Sequence, residues 1–153
     1  MQCEIAPQHY SQSVMELPCI TRVIDATAND SDKTLTVPAG EMWKLNYMLV
    51  TLVTTAAVGN RQLLIEASDS LGNLLGRISA GAVQAASLTR YYSIMQGIYR
   101  ENAFINDEIQ VPMPMDTYLK PGSTLRVRDS AAIAAAADDM TISISYKKYV
   151  GPF

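Results

Sequence analysis

The sequence predicts an all-β domain, a jelly roll or related β-sandwich of eight to nine strands, preceded by an extended N-terminal arm. Two observations predict this fold. Short apolar segments recur along the chain between clusters of Gly, Pro, Asn and Asp, the residues that form tight turns. In addition, no run of about 12 residues or more carries the 3.6-residue period of an amphipathic helix.

One domain accounts for the chain, because 153 residues are enough to bury most of their apolar surface without disulfides or metals. Residues 1–15 mix Gln, Ser, Pro and Tyr and, taken together, show neither strand nor helix periodicity. We therefore expect an arm over 1–15 and a sandwich domain over 16–153. With 48% hydrophobic and only 18% charged residues, its surface is suited to contact with other chains.

The strands are predicted where apolar residues alternate or cluster between turns. Turn residues stand at 29–32, 38–40, 59–60, 69–73, 106–107 and 121–122. The predicted strands are 17–26, 34–37, 42–54, 62–68, 74–78, 88–98, 109–118, 124–128 and 140–149.

Alternation assigns faces to two of these strands. In 42–54, one face is predicted to carry Trp43, Leu45, Tyr47, Leu49 and Val53. Met48, Val50 and Leu52 fall on the other face, so the far half of this strand is predicted to be central and covered on both sides. The last strand is predicted to have one core face and one solvated face. Its core face holds Met140, Ile142, Ile144 and Tyr146, and its solvated face holds Thr141, Ser143, Ser145 and Lys147.

Three segments interrupt this pattern. The alanine-rich segments 79–87 and 129–138 fit either a short helical turn or a packed loop, and we favour loops because each lies between strong strands. Segment 111–115 alternates Pro with Val and Met, and a proline-interrupted strand belongs at a sheet edge. An apolar edge is normally covered, and in an oligomer a neighbouring subunit covers it.

Charge and cysteine content exclude several classes of partner. The net charge is −3, and the four cations nearest to a cluster, Arg126, Arg128, Lys147 and Lys148, fit solvated strands better than a phosphate-binding patch. No apolar stretch is long enough for a membrane helix, and no secretory signal is recognisable. Cys3 and Cys19 are expected as reduced thiols, although spacing alone leaves a bridge between them open.

Candidate catalytic and ligand-binding residues find no partners at productive spacings. His9 is the single histidine and lies in the arm. The turn residues 29–32 and 69–70 lack the spacing of a calcium loop, and Gly59-Asn60-Arg61 lacks the order of a phosphate-binding loop. The carboxylates that approach one another are Glu66 with Asp69, Asp107 with Glu108, and Asp138 with Asp139. Such pairs usually mark turns, so we expect no enzyme activity, no cofactor and no metal site.

Several segments together resemble small virion structural proteins of tailed bacteriophages. They are LPCITRV at 17–23, TVPAGEMWKLNYMLVTLVTTAAVGNR at 36–61, AASLTRYYS at 85–93, LKPGSTLRV at 119–127 and the Asp-Asp-Met start of the last strand. The resemblance covers 36–149 and implies a jelly roll that assembles on the virion. It further implies a capsid decoration or cement protein, often a trimer, in contact with the major capsid protein. A neck, tail or head-fibre component is the alternative within this class.

Two other classes remain as alternatives. A carbohydrate-binding module needs exposed aromatic side chains on one concave face, and the available donors are Tyr47, Tyr91, Tyr92 and Tyr118. A cupin-like enzyme needs a cluster of His and carboxylate ligands, for which one histidine is too few.

Overall fold

A computed structural model of the chain describes residues 14–24, 30–113, 118–131, 133–134 and 136–153. Within these residues the protein is an all-β sandwich of ten strands in two sheets, so the predicted fold class is confirmed. The strands are β1 Met15–Ile24, β2 Asp32–Thr36, β3 Glu41–Val53, β4 Leu63–Ser68, β5 Leu74–Ser79, β6 Thr89–Met95, β7 Glu108–Pro112, β8 Tyr118–Leu119, β9 Thr124–Asp129 and β10 Asp139–Val150.

The large sheet has the order β1-β10-β3-β6-β7. Neighbours are antiparallel except β6 and β7, which run parallel, and β8 pairs with β3 beyond the end of β6. The small sheet has the order β2-β9-β4-β5 and is antiparallel throughout. Strands β1 and β7 are therefore the edges of one sheet, and β2 and β5 are the edges of the other.

The core lies between the two sheets. Trp43 is 1% exposed, as predicted for a core residue, and its ring lies 4.3 Å from that of Tyr146 on β10. Its indole N–H donates to the Glu41 carboxylate at 2.9 Å, which satisfies its one polar group. The small sheet contributes Leu63, Ile65, Leu125 and Val127 to the same cluster.

The predicted faces of β3 are wrong beyond Leu45. Ser145 pairs with Tyr47 and Tyr146 pairs with Leu45, so Asn46 is an extra residue in the ladder. A bulge of this kind reverses which side chains face inward. Trp43 and Leu45 are buried as predicted, but beyond the bulge Met48, Val50 and Leu52 are buried while Tyr47 and Leu49 are partly exposed and Val53 is exposed. This half of β3 is central, but only its inner face is covered.

The other strand predictions are confirmed with one exception. In β10 the side chains of Met140, Ile142, Ile144 and Tyr146 are buried and the residues between them are partly exposed, as alternation predicts. The segment predicted as one strand over 109–118 contributes β7 and β8 instead, which raises the count to ten. Strand β7 ends at Pro112, and it is an edge strand as its prolines predicted.

Both alanine-rich segments are loops in their described residues, as predicted, except that Ser79 ends β5 and Asp129 ends β9. Asp129 organises the second of them, because its carboxylate accepts hydrogen bonds from the backbone N–H groups of Gln62, Ala131 and Ile133 at 3.0, 3.0 and 3.2 Å. Residues 1–13 of the predicted arm, with Cys3 and His9, lie outside the described residues, as does Met115. Met15, the last residue of the predicted arm, is the first residue of β1.

Candidate functional site

The carboxylates that lie close together in the sequence have different hydrogen-bond partners in the structure. Glu66 lies between Arg77 and Arg128, with N–O distances of 2.6 and 2.9 Å, and these hydrogen bonds, that from Arg128 first, hold the pKa of Glu66 below its ordinary value of 4.5. Asp69 accepts hydrogen bonds from the backbone N–H groups of Leu71 and Asn73 within its own turn. Glu66 therefore belongs to a charge network with two arginines, and Asp69 stabilises its own turn.

Three further carboxylates have arginine, hydroxyl or backbone partners, whereas Asp139 Oδ1 is buried without a hydrogen-bond partner among the described residues. Asp107 pairs with Arg90, and Glu108 accepts a short hydrogen bond from the hydroxyl of Ser93. Asp30 accepts a hydrogen bond from the backbone N–H of Asp32 at 2.9 Å, which is a turn interaction. Among the described residues no group of three or more His, Cys, Asp or Glu side chains is placed to hold a metal ion.

Asp138 forms a fully buried ion pair with Arg61. Arg61 Nε and Nη2 donate to the two carboxylate oxygens at 2.8 and 3.2 Å, and both side chains are 0% exposed. Arg61 Nη1 donates to the carbonyls of Ala57 and Gly59, and the backbone N–H of Thr55 donates to Asp138 at 2.7 Å. Burial raises the pKa of Asp138, but the hydrogen bonds from Arg61 and Thr55 outweigh it and leave that pKa below 3.8.

A second layer of buried polar groups adjoins this pair. The backbones of Arg61 and Gln84 exchange two hydrogen bonds, and the Gln84 side-chain amide donates to the carbonyls of Leu52 and Leu88 at 2.9 Å. Tyr92 donates its hydroxyl to Gln84 Oε1 at 2.9 Å, and its pKa is raised by burial and then by the charge of Asp129. This network joins the ends of β3, β4, β6 and β10, so it holds the two sheets together.

Spacing gives no signal for this network. Gly59-Asn60-Arg61, the tyrosine pair at 91–92 and the Asp-Asp-Met start of β10 stand far apart in the chain. The structure brings Arg61, Tyr92 and Asp138 together in one place. The polar contacts described for these residues join the ends of strands within the domain, so they stabilise the fold.

The four cations singled out from sequence are each paired with a carboxylate. Arg126 pairs with Asp32, and Arg128 pairs with Glu66, both on the small sheet. Lys147 pairs with Glu16 at 2.7 Å, and Lys148 pairs with Glu41 at 3.1 Å, both on the large sheet. The cations lie on different sheets, and each is neutralised by a nearby carboxylate. This is the arrangement expected for charged residues on solvated strands.

The four tyrosines considered as a sugar platform do not form one. Tyr92 is buried in the core, and Tyr47 is partly buried. Tyr91 and Tyr118 are exposed, but Tyr91 pairs with Thr51 near one end of β3 and Tyr118 pairs with Lys44 near the other. Of these four tyrosines, two are therefore exposed, and their rings lie apart.

The outer face of the large sheet is broad and uncharged at its centre. It is formed by the residues that alternate with the buried rows Ile142–Val50–Tyr92 and Ile144–Met48–Ile94. Its side chains lie in three rows from edge to centre: Thr21–Ser145–Tyr47–Met95, Val23–Ser143–Leu49–Ser93 and Thr141–Thr51–Tyr91. These rows hold hydroxyl, aliphatic and tyrosine side chains and no charge, which is typical of the centre of a protein interface.

The opposite side of the sandwich has an open apolar cleft beside edge strand β5. The cleft has a volume of about 310 Å³ and lies between the sheets. Its walls include Met48, Ile94 and Leu119 from the large sheet. From the small sheet they include Ile65, Ala67 and Ile78, and at the rim Leu75 is 58% exposed.

Comparison with known protein families and with curated proteins found no match to this chain. The part of the chain that the structure describes contains no helix with the length and apolar character needed to cross a bilayer.

Proposed function

We propose that this chain is a virion structural protein of a tailed bacteriophage, a decoration or cement protein that stabilises the capsid through oligomeric contacts. In this proposal the sandwich is of the jelly-roll type, acts as a building block and has no active site. Its partners are further copies of itself, with a trimer favoured, and the major capsid protein, and its location is the virion. A neck, tail or head-fibre position is the alternative within the same class.

The observation that carries the proposal is the uncharged outer face of the large sheet. A strand face exposed only to water is normally rich in charge, as the small sheet shows with Asp32, Glu66, Arg77, Arg126 and Arg128. The rows through Tyr47 and Leu49 have no such charges from β1 to β6, and the row through Thr51 has none from β10 to β6, before it meets Glu108 on β7. This difference supports the proposal that the large sheet faces a protein and the small sheet faces solvent.

Co-sedimentation with phage capsids tests the proposal. Thr51→Lys introduces a charge into the centre of the outer face and is expected to weaken capsid binding at least tenfold. Thr34→Lys is the matched control, because Thr34 is an exposed strand residue of the small sheet that pairs with Arg126. Equal capsid binding by both variants would contradict the assigned face. A wild-type protein that ignores capsids but binds glycans would replace the proposed function with the carbohydrate-binding one.

A further inference from the structure

The cleft beside β5 ends at an open strand edge. Ala80 N–H donates to the Leu63 carbonyl at 2.9 Å, so Leu63 and Ala80 form a hydrogen-bonded pair of the β4–β5 ladder. Because hydrogen-bonded and non-hydrogen-bonded pairs alternate in an antiparallel ladder, the backbone N–H and C=O of Arg77 face away from β4. Strand β5 is the outermost strand of its sheet, so these groups are available to another strand.

The side chains around this edge are those that a docking strand needs. On the inner side, the cleft between the sheets is lined mostly by apolar residues, with Arg77 and Tyr118 also at its wall, and it has room for side chains of an added strand. On the outer side, Glu66 is shared by Arg77 and Arg128, which leaves one positive charge in excess. An added strand would therefore fit best with apolar residues on one face and a carboxylate on the other.

The first five residues of the chain have this pattern. Met1, Cys3 and Ile5 alternate with Gln2 and Glu4, which gives an apolar face and a face with one carboxylate. With Ile5 and Cys3 directed into the cleft, Glu4 falls on the side of Arg77. We infer that the N-terminal segment of one copy of this chain adds as a strand to the β5 edge of a second copy.

The geometry favours a second copy over the same chain. Residues 1–13 precede Val14, which adjoins β1 at the edge of the large sheet, and the β1–β10 side of that sheet faces β2. The cleft is lined from β3, β6 and β8 of the large sheet and from β9, β4 and β5 of the small sheet, and it opens at β5, the edge of the small sheet opposite β2. Thirteen extended residues span about 43 Å, which is enough to leave one sandwich and reach the next.

An exchange of this kind joins two different patches, the segment of one subunit and the β5 edge of the next. Contacts between unlike patches are head-to-tail, and they close into a ring when the rotation between subunits permits. The inference rests on the proposed function for its premise that copies of this chain assemble, and it names the segment and the acceptor edge that join them.

Disulfide trapping on the isolated protein tests this contact. Cys19→Ser leaves Cys3 as the one native thiol, and Leu75→Cys places a second thiol at the rim of the cleft. Mild oxidation is expected to give covalent oligomers up to the size of the ring on a non-reducing gel. Replacing Cys3 with Ser in this protein is expected to return it to the monomer. The matched control is Val58→Cys in place of Leu75→Cys, since Val58 is 94% exposed and lies away from the cleft.

Three outcomes would overturn the inference. Covalent dimers that persist after Cys3→Ser would mean that two β5 edges pair directly. A disulfide confined to the monomer would mean that the segment docks on its own chain. Equal oligomer yields from the Val58→Cys control would mean that the trapping is collisional.

Substitutions on the two faces of the segment test the same contact without a cysteine. Ile5→Asp is expected to lower the mass of the assembly by light scattering to that of a monomer, whereas Gln2→Asp, on the charged face, leaves it unchanged. Equal masses for the two variants would contradict the inference. Neither experiment contains capsids, so the two proposals fail separately. If trapping fails while capsid binding is intact, only this contact between copies is refuted. If trapping succeeds while the protein does not bind capsids, only the proposed function is refuted.

Discussion

Arg61 and Asp138, 77 residues apart in the chain, share two hydrogen bonds in the interior, and neither side chain is exposed to solvent. The pair joins Arg61, two residues before β4, to Asp138, the residue that precedes β10, so each strand begins at a fixed position relative to the other. A buried charge is tolerated only when it is paired and hydrogen-bonded, and here the backbone of residues 55–59 supplies the remaining partners.

Removing one partner of this pair is expected to destabilise the domain strongly. Arg61→Leu leaves the Asp138 carboxylate buried without its cation, and the expected loss is about 3–5 kcal/mol in urea unfolding. Arg126→Leu is the matched control, because the Arg126–Asp32 pair is partly exposed and worth at most about 1 kcal/mol. A loss for Arg61→Leu no larger than that of the control would contradict the structural role of the pair.

Stability is expected to fall on acidification below about pH 4. The pKa of Asp138 is lower in the folded state than the ordinary value of 3.8, so the unfolded chain binds the proton more readily. This contribution is therefore complete above the unfolded pKa and is lost as the pH falls through the folded one. Urea midpoints from pH 7 to pH 3 measure the loss. Asp138→Asn is expected to show a smaller change over this range, and an unchanged pH dependence would refute the assignment.

Trp43→Ala is expected to cost about 3–5 kcal/mol, because it removes a large buried side chain and its contact with Tyr146. Guanidinium unfolding monitored by circular dichroism is the measurement, since the variant lacks the single tryptophan. Tyr99→Ala is the control, as Tyr99 is an exposed aromatic residue. A loss below about 1 kcal/mol for Trp43→Ala would place this ring at the surface and reopen a binding role for it.

Gly81 is expected to tolerate no side chain. A Cβ at this position would lie 2.0 Å from the carbonyl oxygen of Glu101, so the backbone of one of the two loops must move. Gly81→Ala should cost about 1–3 kcal/mol in thermal unfolding. Gly76→Ala is the control, because a Cβ there meets no atom within 4 Å. Similar melting temperatures for the two variants would show that the loops separate easily.

Deleting residues 1–13 is expected to weaken assembly and leave the sandwich folded. The deletion should stop before Val14, because Met15 already pairs with Val150 in the large sheet. Light scattering measures the assembly and circular dichroism measures the fold. A truncated protein that assembles as the full chain does would show that the arm is not needed for assembly.

Local sequence pattern was sufficient for the sandwich and most of its strands. Alternation located the core face of β10 and the burial of Trp43, and prolines placed β7 at an edge. Local pattern could not predict the reversal of faces in β3. One extra residue, Asn46, changes the face of every later side chain in the strand, and the composition of the strand does not reveal it. Pro18 produces a second bulge in β1, where the register shifts between Leu17 and Cys19.

The buried network was not predicted because its members are distant in sequence and ordinary in type. Arg61 and Asp138 each stand in a turn-like segment, where a charged residue is usually solvated. Only the pairing of β3 with β10 and the return of the chain into β4 bring them together. The cleft beside β5 was also beyond prediction, because it depends on how far the two sheets diverge at that edge.

The position of β10 has a consequence for synthesis. This strand lies between β1 and β3, so the two earliest strands of the large sheet have no direct contact and wait for a partner that ends at Val150. Until that residue has left the ribosome, β1 has no strand to pair with and one side of β3 is bare. Closing such long loops is slow, and unpaired strands of neighbouring nascent chains can associate in the meantime. The order of strands thus delays completion of the large sheet until β10 has been synthesised.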